Sequence, residues 1–101
     1  MTPQAETREI AVTDHARDQA RLRFGLLIDG SALDEFIALD VRAGRRNTSK
    51  PRAFRLYNQG KQQSKLLGNQ RFVTSQNGER GYVIDQYEDR DVVITAMRKV
   101  R

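Results

Sequence analysis

The chain has no cysteine, no tryptophan, one histidine and two prolines in 101 residues. Without cysteine it has no disulfides, no thiolate metal sites and no thiol nucleophile. The single histidine, His15, excludes a multi-histidine zinc or iron centre. A carboxylate-only magnesium or calcium site stays open, but no loop carries calcium spacing, so we expect no metal and no cofactor. No apolar run approaches the roughly 18 residues that suggest a membrane span. The opening "MTPQAETRE" is polar and holds no hydrophobic signal core. These absences fit a soluble, cytoplasmic protein with no membrane partner. At 101 residues the chain can bury one core unaided. We expect 1–8 to be a flexible N-terminus and 9–101 a single domain.

Acidic residues are also missing from one long stretch. From Val41 to Gly78 there are nine basic residues and no Asp or Glu. Met1 to Asp40 carries a net −4, and Glu79 to Arg101 is neutral, so the net charge of +5 comes from the middle. Such a block is either a solvated basic surface or a surface for a polyphosphate backbone, because clustered Lys and Arg release counterions on binding. The block is not a basic amphipathic helix of the kind that lies on membranes.

Glu9–Thr13 alternates Ile10 and Val12 and reads as a short strand. Thr13 or Asp14 suits a helix N-cap, and a helix follows from Asp14 to Phe24, with Ala16, Ala20 and Phe24 on one face. Gly25 is a fitting stop. "GLLIDGS" reads equally as helix tail, short strand or connection. Ser31 is expected to cap a second helix, with Asp34 and Glu35 in its first turn and Leu33, Phe36, Ile37 and Val41 as its apolar stripe. Gly44 ends it.

Four strands should follow: Arg52–Gln59, one around Gln70–Gln76, Gly81–Tyr87 and Asp91–Val100. "NGERG" suggests a hairpin loop longer than two residues. Alternation in the last strand places Val92, Ile94 and Ala96 on one face and Val93, Thr95 and Met97 on the other. The expected architecture is α+β: a short strand, two helices, then a four-stranded antiparallel meander with the helices on one sheet face.

This order, with His15-Ala16-Arg17 followed by Arg21 and Gly25, and with "VVITAMRKV" at the end, resembles the RelE- and barnase-like superfamily. Within it, the likeness is to small domains that open with a strand, an HAxxR-type helix and a glycine. The resemblance runs from about Glu9 to Lys99. It implies ribonuclease-toxin chemistry: the RNA 2′-hydroxyl attacks the adjacent phosphate, basic groups steady the charge, and His, Tyr, Glu or Lys move protons. It also implies an antitoxin or immunity protein as partner. Catalytic residues vary widely in that group, so none is carried over as a set.

Each candidate has a structural reading beside the functional one. An unperturbed imidazole ionises near neutrality, which suits His15 to general acid–base work, yet a first-turn histidine also serves as a local hydrogen-bonding group. Arg17 and Arg21, spaced i, i+4, have Asp14 and Asp18 as natural partners. Arg71, Tyr82 and Arg98, with Lys99 close by, are the group on the strands that would serve a ribonuclease-like site if they met on an open face. Arg42, Arg45, Arg46, Lys50, Arg52 and Arg55, extended by Lys61 and Lys65, can track phosphates without reading sequence.

Three readings result. The first is an RNA-binding domain that cleaves RNA without a metal. The second is a non-catalytic nucleic-acid-binding module for RNA or DNA, of phage or mobile-element type. The third is an interaction module whose basic surface meets an acidic protein. RNA is the favoured ligand.

Overall fold

The computed structural model describes residues 8–54 and 66–99. Strand β1 spans Glu9–Val12, helix α1 Asp14–Phe24, helix α2 Gly30–Ala43 and strand β2 Arg45–Asn47. A 3-10 turn, Arg52–Phe54, precedes strands β3 (Gln70–Thr74), β4 (Arg80–Gln86) and β5 (Arg90–Arg98). The five strands form one sheet in the order β1-β5-β4-β3-β2. The α+β class stands, with two helices and a mixed sheet.

The first helix follows its local signals. The Thr13 side chain accepts from the Ala16 N–H at 3.1 Å, and Gly25 closes the helix at φ 68°. Ala16 and Ala20 are fully buried. Their small side chains let α1 lie close on the sheet. For α2 the cap is Asp29, not Ser31, because the Asp29 carboxylate accepts from Gly30 N–H at 2.9 Å. Asp34 and Glu35 therefore fall in the second turn rather than the first. Leu33, Ile37, Ala38 and Val41 form the buried face of α2, and Phe36 is half-buried beside them.

The meander needs correcting. The sheet has five strands, and β1 runs parallel to β5, with Ile10 opposite Asp91 and Val12 opposite Val93. Arg52–Phe54 is a 3-10 turn rather than the start of a strand, and the rest of that expected strand lies outside the described residues. The fourth antiparallel position is taken by the short β2, which pairs with β3. The hairpin between β3 and β4 has the expected longer loop, closed by Ser75 N–H donating to the Arg80 carbonyl at 2.8 Å.

The alternation expected for the last strand also fails, at an irregularity in the β4–β5 ladder. Val83 lies opposite Thr95, but Ile84 lies opposite Val93, so β5 has one extra residue at Ile94. The bulge shifts the side chains beyond it to the other face. Val93 and Ala96 both pack under the helices, with Val73, Tyr82 and Ile84. Ile94 and Met97 pack on the opposite face with Phe54, Phe72 and Val83. On that face the Phe54 and Phe72 rings lie 4.9 Å apart. Gly81 makes room for them, since a Cβ there would come within 2.3 Å of the Phe72 ring.

One buried acid fastens the corner of the sheet. Asp91 on β5 is fully buried and accepts from Arg8 and from Arg46, each at 2.8 Å. Arg46 belongs to β2, with two strands between it and β5. In a flat sheet that separation is roughly 14 Å before any offset along the strands, so the bridge requires a strongly coiled sheet. Arg8 also donates to the carbonyls of Tyr87, Glu88 and Arg90, which locks the β4–β5 turn.

Candidate functional site

The strand β2 carries two adjacent arginines, and strand alternation sends them to opposite faces. Arg46 sits opposite Val73, on the helix side, and is committed to Asp91. Arg45 sits opposite Thr74 and opens onto the other side. There it borders a cleft of about 550 Å³, between the end of α2, β2, the 3-10 turn and the β3–β4 hairpin. Gly44 permits this junction, because a Cβ would meet the Thr74 carbonyl oxygen at 2.5 Å.

The cleft has two kinds of wall. Pro51, Ala53 and Phe54 give it an apolar floor, and Asn47, Thr74 and Gln76 give it neutral polar groups. Asn47 is already engaged, donating to the Phe72 carbonyl at 3.4 Å and to Thr74 Oγ1 at 3.3 Å. Arg45 and Lys99 supply the positive charge, and no described lining residue is acidic. Lys99 is placed by its own N–H, which donates to the Glu79 carbonyl at 2.9 Å and holds the end of β5 against the hairpin. Arg45, Arg52, Arg98 and Lys99 are exposed and have no acid partner among the described residues.

A second groove, of about 620 Å³, runs between α1 and α2 and has the opposite character. Arg17 is held by Asp14 and, through two bonds of 2.6 and 3.0 Å, by Asp34. Arg21 is held by Asp18 at 2.8 Å and by Asp29. The hydrogen bond that Arg17 donates to Asp34 leads the causes that hold Arg17 above its ordinary pKa. These arginines had Asp14 and Asp18 as expected partners; the structure adds Asp34 of α2 for Arg17 and Asp29, the cap of α2, for Arg21.

The proposed catalytic group is not brought together. Tyr82 is fully buried beneath the helices, with its hydroxyl donating to Asp40. Arg80 grips the same carboxylate at 2.7 and 3.1 Å, and its guanidinium lies over the Phe24 and Phe36 rings. Burial, then the bond to Asp40, pushes the Tyr82 phenol far above its usual range. Arg71 lies opposite Ile84 and Arg98 opposite Arg80, so the two flank β4 four residues apart, about 13 Å along it. Arg71 donates to the carbonyls of Gly68 and Gln70 at 2.9 and 2.6 Å, steadying the turn before β3. His15 is exposed in the first turn of α1, without a side-chain partner among the described residues.

The expected phosphate-tracking residues scatter as well. Arg42 is exposed and donates to the Arg8 carbonyl at 3.2 Å. Lys50 is buried, 7 % exposed, and its pKa is lowered by burial and then by the charge of Arg23. Arg52 is exposed at the start of the 3-10 turn. Arg55, Lys61 and Lys65 lie outside the described residues. The cleft thus unites Arg45, from the phosphate-tracking group, with Lys99, from the catalytic group. Asn47 and Gln76 were not singled out, because isolated polar residues carry no sequence signal.

Among the described residues no group of three or more His, Asp or Glu side chains is placed to hold a metal ion. No described helix is long and apolar enough to cross a membrane. No family model, curated protein or solved structure matches the chain.

Proposed function

We propose that the protein is a nucleic-acid-binding module, with RNA the favoured polymer, and that the Arg45–Lys99 cleft is where it holds the phosphate backbone. One observation carries this reading. Among the described residues the cleft's two cations have no acid partner and no acid lines it, whereas Arg17, Arg21, Arg46 and Arg80 are all spent on carboxylates. Exposed, unpaired Lys and Arg are the groups that gain most from phosphate contacts and counterion release. Arg52, exposed at the start of the 3-10 turn beside the cleft floor, adds a further positive charge near the two cleft cations.

Cleavage is left out of the proposal. A phosphate seated at the cleft would not meet Tyr82, which is buried on the helix side, and His15, Arg71 and Arg98 do not gather round it. The test is fluorescence anisotropy with a labelled single-stranded RNA, followed by gel analysis of the same sample. The expected result is binding at 50 mM salt that falls at least tenfold by 200 mM, with the RNA intact. No binding at 50 mM salt by the folded protein overturns the reading.

A further inference from the structure

We infer that the cleft seats one unstacked nucleotide, its base against Pro51 and Ala53 and its phosphate between Arg45 and Lys99, so that the protein selects single strands over duplexes. This rests on the nucleic-acid reading above and narrows it.

The two walls of the cleft differ in what they can bind. A site for phosphate alone needs cations and N–H donors, and it gains nothing from Pro51, Ala53 and Phe54 beside them. A nucleotide needs both, because its base is a flat, largely apolar plate and its phosphate is an anion. At about 550 Å³ the cleft falls within the roughly 300–1,000 Å³ range of small-ligand pockets. Gln76, exposed on the lining and without a side-chain partner among the described residues, offers an amide donor and acceptor to a base edge. The floor is rigid: buried Phe54 backs it from beneath with its ring tilted against that of Phe72, and the Phe54 N–H donates to the Pro51 carbonyl at 2.9 Å. In a duplex the base faces are stacked on their neighbours and cannot lie on such a floor, so only the two cations would engage.

The experiment compares four probes of equal phosphate number on the full chain: a single-stranded RNA, the same strand in a duplex, an oligomer of abasic spacers, and inorganic polyphosphate. Single-stranded RNA is expected to bind at least tenfold tighter than the other three. Ala53→Gln fills the floor without changing charge, and this variant, once shown folded by circular dichroism, should bind all four alike. If the abasic oligomer or the duplex binds wild type within twofold of the single strand, the nucleotide seat is overturned while phosphate binding stands. If no probe binds at 50 mM salt, the nucleic-acid reading falls and the seat with it.

Discussion

Arg17 and Arg21 lie in a groove with four aspartates, and Arg45 and Lys99 border a cleft with none. Both pairs are cations on the surface of one small domain, yet only the second has its charge to spare. In the helix groove the carboxylates answer the guanidiniums at short range, so the field seen by an approaching anion is neutral or repulsive. At the cleft the other described lining groups are apolar or neutral, so no carboxylate there answers the two cations. Arg46 sharpens the contrast: it follows Arg45 directly, faces the other way, and is consumed by buried Asp91.

The largest effect should come from separating that structural ion pairing from binding. Asp91→Ala leaves Arg8 and Arg46 without their shared buried partner, and breaking such a pair costs about 3–5 kcal/mol. Urea denaturation should show this loss, while RNA affinity of the still-folded fraction stays within threefold. A large loss of affinity at full stability would mean that Asp91 and Arg46 belong to the binding surface after all.

Next comes the direct comparison. Arg45→Ala with Lys99→Ala should weaken RNA binding by 10- to 100-fold at 100 mM salt, on the order of 1.4–2.7 kcal/mol. Arg17→Ala with Arg21→Ala should leave it within threefold. Equal losses from the two double variants would erase the distinction between the regions.

A smaller effect concerns Tyr82, whose phenol is held neutral above its usual range by burial and by Asp40. The unfolded chain ionises this group near pH 10, so above that pH the unfolded state binds fewer protons than the folded one. The contribution of Tyr82 is therefore complete below about pH 10 and declines as the pH rises further. The stability gap between wild type and Tyr82→Phe, followed by denaturant melts, should shrink from pH 9 to pH 11. A gap that widens over that range contradicts the buried, hydrogen-bonded placement. Least of all should His15→Ala matter: an exposed first-turn side chain without a partner should change stability by no more than about 0.5 kcal/mol and RNA affinity by less than twofold.

How far the sequence foretold these regions depends on whether the deciding signal is local. Helix α1 was legible apart from the choice between Thr13 and Asp14 as its cap, because the cap, the alanine face and the Gly25 stop all lie within 13 residues. The extra residue at Ile94 was not, since a bulge is a relation between two strands. Strand β2 was hidden for a different reason: "RRN" has no apolar alternation and is a strand only because β3 offers it an edge. The parallel pairing of β1 depends on a partner some 80 residues away. For the site, the acid-free stretch pointed to Arg45 through composition alone. It could not show that Arg46 would turn to Asp91, that Lys50 would be buried, or that Lys99, from beyond the stretch, would border the same cleft.

The central claim is that the cations of the cleft, and not the paired arginines elsewhere, meet the phosphates. The salt dependence of RNA binding tests it most directly. For single strands the slope of log K against log salt is about −0.7 per phosphate neutralised. Replacing Arg45 and Lys99 with alanine should therefore make the slope shallower by about 1.4, and replacing Arg17 and Arg21 should leave it unchanged. An unchanged slope for the cleft variant, or a shallower one for the groove variant, would contradict the account.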